Sequence, residues 1–270
     1  MSVINPNPFT TRPEIEGTFG VVASTHWIAT AVGMATLEKG GNAFDAAVAT
    51  AFTLQVVEPH LNGPGGDVPV IVYDTRRGKP EVICGQGPVP AGATIAHYRR
   101  EGLELAPGTG LLAACVPGTF ETWMLLLRDY GSLSLREVLS PAIGYAQNGY
   151  PLVERANATI ATVAELFRAH WPTSAAVYLP NNMVPPTGTL FTNQTLAATY
   201  LRILKEAKAP AAIVSCRSSG RAHPGRGGSW PRRSTASATR RRSWTRAACA
   251  TAACSRPTTW RAGRRALKRR

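Results

Sequence analysis

GGNAFDAAVATAFTLQVVEPHLNGPGGDVPVIVYD, residues 40–74, holds a helix, a glycine-rich turn and a strand in direct succession. Asn42 is placed to cap the helix, and Asp45, three residues on, stands where a capping box puts an anion favourable to the helix dipole. The helix has to stop before Pro59, because a proline pushes the preceding residue out of the helical region. Its small apolar side chains point almost all round the axis, the pattern of a helix buried between layers, and a sheet is the expected neighbour.

Working outward, residues 20–23 (GVVA) read as a short strand and 27–37 as a helix closed by Gly40 and Gly41. Downstream of the turn, a strand over 68–73, the polar turn TRRGK and a second strand near 81–84 predict a β-hairpin. Apolar spacing and breakers place further helices at about 118–129, 135–147, 154–169 and 193–208. The sum is an α+β fold without internal repeats.

Composition divides the chain in two. Residues 1–210 carry 14 basic and 16 acidic side chains, a formal balance of −2, whereas 211–270 carry 16 basic side chains and no acid. The first segment is long and apolar enough for a buried core. The second is not: from 216 to 270, Leu267 is the one residue among Val, Ile, Leu, Met and Phe, too little to offset the entropy of ordering the backbone. We therefore expect a folded unit over 1–210 and a non-globular, disordered basic tail over 211–270. The five cysteines, Cys84, Cys115, Cys216, Cys249 and Cys254, have no metal-ligand spacing, and no cofactor motif occurs. The start lacks the basic and apolar regions of a signal peptide, and no apolar run nears the ~20 residues of a membrane helix. A cytoplasmic chain without membrane contact is the expectation.

Taken in order, residues 40–74, PVPAGAT (88–94) and CVPGTFETWMLLLRDYGSLSLREVLSPAIGYAQNGYPL (115–152) resemble the gamma-glutamyltranspeptidase family of N-terminal-nucleophile hydrolases. The resemblance runs over about 18–205 and covers the front of that family's large subunit. It implies an αββα sandwich, here incomplete, and an enzyme that cuts itself to expose a threonine. The terminal hydroxyl is then the nucleophile and its own amine the base. Small-molecule amides are the implied substrates, glutathione among them. The resemblance also implies that the small subunit, which bears the threonine and the oxyanion donors, lies outside this sequence, so that the chain would need that segment and is expected to be inactive alone.

In the glutamyl transferases of the family an arginine before an Ala-Pro element clamps the substrate carboxylate with its guanidinium fork. Setting Pro90 on the family's proline brings Gln86 to that position, so the one substrate-binding residue expected here carries a neutral amide. Amidohydrolases related to the transferases, or cephalosporin-type acylases, become the alternative reading.

Other motifs have plainer readings. Ser24-Thr25-His26 fits a helix cap. The loop Asn62 to Asp67 lacks the Lys-Ser/Thr of a phosphate loop and enters a strand, so a tight buried turn is expected. His60 reads as structural, and no spacing demands that Glu58 and Asp67 form a catalytic pair. Pro257-Thr258-Thr259-Trp260 lacks the flanking Gly and His of the family's cleavage site, and the prolines at 6 and 8 deny Ser2 the strand that follows such nucleophiles. In the tail, the Arg, Ala, Ser, Thr, Gly and Pro residues mostly have codons with G or C in second position. That is the vocabulary of a GC-rich gene read out of frame, and a shift near 207–215 is the expectation. The rival, an arm for nucleic acid built on Arg240-Arg241-Arg242 and the tail tryptophans, lacks any motif of known geometry.

Overall fold

The computed structural model describes residues 15–207; the tail, Ser2 and the 257–260 motif lie outside them. Helix α1 (Trp27–Glu38) and helix α2 (Ala43–Val57) pack side by side. Asn42 caps α2 as expected, its Oδ1 accepting from Phe44 N and Asp45 N while Asp45 returns a bond from Asn42 N. Gly40, with φ +92°, turns the chain out of α1, and its N–H and that of Gly41 satisfy the carbonyls of Leu37 and Thr36.

Strands β1 (Val68–Asp74) and β2 (Lys79–Gly85) form the expected antiparallel hairpin, with Ile71 opposite Val82. Helix α3 (Ile95–Arg100) follows, then α4 (Thr119–Tyr130) and α5 (Leu135–Asn148), which has a Ser134/Glu137 capping box. Gly149, at φ +96°, ends α5 and releases the chain into β3 (Tyr150–Pro151), which pairs with β4 (Leu190–Phe191). Between them lie α6 (Glu154–His170) and α7 (Pro172–Tyr178), and α8 (Gln194–Ala207) closes the described region. The longer helices start and stop within two residues of their expected bounds. The short α3 and α7 and the β3–β4 pair carry too few residues to show a period.

The core lies where α2, α5 and α8 meet. Phe52, Val56, Val138, Leu139, Ala142 and Tyr200 are almost wholly buried, and Tyr200 of α8 donates to Gln55 Oε1 at 2.7 Å across 145 residues of sequence. Burying each of these larger side chains contributes roughly 1.5–3 kcal/mol. Asp45, fully buried, joins α2 to the α4–α5 turn: its carboxylate accepts from Ser132 N, Ser132 Oγ and Leu133 N as well as from Asn42 N. Tyr130 holds the hairpin to α4. Its hydroxyl donates to Glu81 at 2.6 Å, its ring lies 4.3 Å under the Arg77 guanidinium, and burial with the Glu81 bond pushes its pKa up to about 12.

Three expectations are corrected. Residues 20–23 are extended but form no strand, because no other described segment lies alongside to complete a ladder; Gly20 and Val22 instead press on α1 at Leu37 and Gly33. Helix α2 is buried, but its main neighbours are α1, α5 and α4 rather than a sheet. The turn at 62–67 forms, yet it is not buried: Gly65, Gly66 and Asp67 are exposed, and nothing crowds Gly63 or Gly65.

Candidate functional site

Gln86 follows β2 between two glycines that let backbones touch. A Cβ at Gly85 would fall 2.2 Å from Val68 O, and one at Gly87 only 1.4 Å from Val116 O. Gly118, at the head of α4, would put a Cβ 2.1 Å from Gly85 O. Pro88 O accepts from Val116 N at 3.0 Å, and Gly66 O accepts from both Gly118 N and Thr119 N. The segment carrying Gln86 is thus clamped between β1 and the 116–118 segment, backbone against backbone, while Gln86 itself remains exposed.

The alternation of β2 puts Gln86 on the side of Val82 and Cys84, which are exposed as it is. An amide there can donate and accept neutral hydrogen bonds but cannot neutralise a carboxylate. The hairpin's own arginines cannot replace the charge. Arg76 is bound to Asp74 and Arg77 to Glu81, at the turn, and a seven-residue strand puts that turn about 20 Å from Gln86.

A cavity of about 620 Å³ opens between the extended 21–25 segment, α2 and the 61–68 loop. Ala43, Ala47, Ala51 and Leu54, one stripe of α2, line its floor, and Thr119 and Trp123 of α4 close one end. Thr50 Oγ1, Thr119 Oγ1 and Trp123 Nε1 in its walls have no hydrogen-bond partner among the described residues.

At the rim two motifs that the sequence kept apart come together. Thr25 Oγ1 donates to Glu58 Oε2 at 2.5 Å, and Asn62 approaches the same oxygen at 3.4 Å. His26, almost fully buried, caps α1 by accepting Ile28 N at Nδ1, while Ser24 Oγ braces it by donating to His26 O. The cap reading of 24–26 is therefore borne out, although the capping side chain is the histidine. Burial lowers the pKa of His26; Glu58 opposes that shift and His60 adds to it. Neither Nε2 of His26 nor Nδ1 of His60 has a partner among the described residues. Glu58 is buried and bonded to the exposed Thr25, whereas Asp67 is exposed and makes no such bond, so the two acids are not brought into one site. Long-range contacts of this kind leave no periodic signal in sequence.

No group of His, Cys, Asp and Glu among the described residues could hold a metal ion, and none of their helices is long and apolar enough to cross a membrane.

The sequence profile of the gamma-glutamyltranspeptidase family matches residues 29–212. A glutathione hydrolase-like proenzyme of Bacillus subtilis, YwrD, is 36% identical over 183 residues, 67% of this chain and 34% of the relative. The curated relatives also include an oxamate amidohydrolase and an acylase proenzyme. Among solved structures, LmbA2991HD is 55% identical with a TM-score of 0.72, covering 77% of this chain and 37% of that one. The gamma-glutamyltranspeptidase of Helicobacter pylori is 30% identical at a TM-score of 0.67, covering 72% and 56% respectively. These likenesses bear out the α+β N-terminal-nucleophile hydrolase fold for the shared region. The chain spans about a third of the length of the curated relatives it matches.

Proposed function

Because the chain belongs to the gamma-glutamyltranspeptidase family, we propose that it supplies the front of the large subunit of an amidohydrolase that passes an acyl group from an amide to water or an amine. In that enzyme a terminal threonine hydroxyl attacks the amide carbonyl, its own amine takes the proton, and the leaving amine departs protonated. The acyl-threonine ester is then opened by water or by an acceptor amine. The observation that carries this reading is the family match over 29–212, joined to a 55%-identical solved structure of the same fold.

Within that enzyme Gln86 is the proposed contact to the acyl donor. Its neutral amide favours the second reading, an amidohydrolase or acylase whose donor carries no α-carboxylate, over a γ-glutamyl transferase. The glycine clamp supports the assignment, since it fixes the Gln86 backbone while the side chain stays exposed. The proposed location is the cytoplasm.

We also propose that the text beyond about 207–215 is out of frame. The loss of acidic residues after 210 supports this, as does a family match that stops at 212, inside the same window. Reading the coding DNA downstream of codon 205 in all three frames tests it: another frame should restore family-like helices and a Gly-Thr-Thr-His-type site. The 270-residue chain should neither cleave itself nor hydrolyse γ-glutamyl or simple acyl anilides. Self-cleavage with amidase turnover by this chain would overturn the reading. Steeply salt-dependent binding to nucleic acid that is lost on deleting 211–270 would favour the basic-arm alternative instead.

A further inference from the structure

Two Asn-Gly pairs stand in the chain, Asn62-Gly63 and Asn148-Gly149, and the fold treats them differently. Such a pair is open to attack by the backbone on its own side chain, because glycine puts no Cβ beside the attacking nitrogen and leaves the backbone free to turn. Asn148 is the last residue of α5, and Gly149 N already donates to Tyr145 O at 2.9 Å. That nitrogen is withheld unless the helix end opens. Asn62 lies outside any helix or strand, exposed at the rim of the 620 Å³ cleft. Gly63 N has no hydrogen-bond partner among the described residues. Among them the Asn62 side chain is held only by its 3.4 Å approach to Glu58, made through Nδ2, the atom that leaves when the amide is attacked.

We infer that Asn62 is a site of self-modification, at which Gly63 N attacks Asn62 Cγ and the side chain passes through a succinimide to aspartate and isoaspartate. The N–Cγ bond forms, the Cγ–Nδ2 bond breaks, and ammonia leaves with the proton that the backbone nitrogen gives up. Water then opens the ring at either carbonyl, and no other reactant is needed. Each product takes a donor away from Glu58, which is buried and bonded to Thr25, and sets a like charge beside it. The isoaspartate product also lengthens the backbone of a loop that is tied to α4, where Gly66 O accepts from Gly118 N and Thr119 N. Spontaneous deamidation at 62 therefore loosens the rim of the cleft.

The test incubates the full 270-residue chain at mildly alkaline pH and follows it by trypsin digestion and mass spectrometry, with fragmentation to place the modified residue. Cleavage after Lys39, Arg76, Arg136 and Arg155 separates the two pairs into peptides 40–76 and 137–155. In the folded chain the 62 site should deamidate about tenfold or more faster than the 148 site, which has to open the end of α5 first. In concentrated urea the two rates should converge, since the difference belongs to the fold. Gly63→Ala should slow the reaction at 62 about tenfold or more, by crowding the nitrogen. A Cβ there meets nothing within 4 Å, so the variant should fold as the parent does, which circular dichroism checks. The modified fraction, separated on a cation exchanger by its added negative charge, should melt below the parent. No deamidation at 62, a folded-state rate at 148 that equals or exceeds it, rates as far apart in urea as in the fold, or a folded Gly63→Ala variant that reacts like the parent would each overturn the inference. A modified fraction that melts with or above the parent would overturn its effect on the cleft rim.

Discussion

Asp45 offers a quantitative test of how the helical layer is held. Its carboxylate is fully buried and takes hydrogen bonds from Asn42 N, Ser132 N, Ser132 Oγ and Leu133 N at 2.6–3.1 Å. Asp45→Ala strands the backbone N–H groups of half-buried Asn42 and Leu133, each costing about 1–3 kcal/mol when it loses its partner away from water, while that of exposed Ser132 turns to water at little cost. Loss of the capping-box return bond is part of that total rather than an addition to it. Against this, removing a buried charge recovers desolvation energy. The recovery is small, because the donors that replaced water around the carboxylate stay in place and now face a void. The net expectation is a loss of roughly 3–5 kcal/mol, a large share of the 5–15 kcal/mol typical of a domain. Asp45→Asn keeps one acceptor oxygen and should lose about half as much. Urea unfolding of the 270-residue chain, followed by circular dichroism and tryptophan fluorescence, measures both. An Asp45→Ala variant within 1 kcal/mol of the parent, with an unchanged denaturant slope, would refute the hub role.

Gly87→Ala should lower stability by about 2–3 kcal/mol, because the new Cβ meets backbone at Val116 O rather than a movable side chain; that is roughly 4–12 °C in a thermal melt, and an unchanged melt would contradict the clamp. His26 is held below its ordinary pKa of 6.5 by burial, so the unfolded chain takes up its proton first; its contribution to stability is intact above pH 6.5 and is lost as pH falls from there toward the folded value. His26→Asn keeps a capping side chain without titrating and should flatten the stability profile between pH 7 and 5, so parallel profiles for the two proteins would exclude His26 as the source. In the frame-restored enzyme, Gln86→Arg should lower KM for a γ-glutamyl anilide about 10- to 100-fold while barely changing that for an uncharged acyl anilide. Equal changes for the two substrates would remove Gln86 from the donor site.

Local chemistry was legible from the sequence alone. The Asn42–Asp45 box, Pro59, the Gly40-Gly41 stop and the TRRGK turn set the ends of α1, α2 and the hairpin within a residue or two, because caps and turns are satisfied by neighbours in the chain. The family resemblance was legible too, since its motifs stand in order along the chain. Tertiary structure alone decided who meets whom. Asp45 bonds to Ser132 across 87 residues, Thr25 meets Glu58, and Gly85, Gly87 and Gly118 bring three strands of backbone into contact. It also left 20–23 unpaired, where the sequence read a short strand. The physical reason is the same each time: a propensity is a property of one segment, whereas a hydrogen-bond ladder or a buried carboxylate needs a second segment whose position no local pattern encodes.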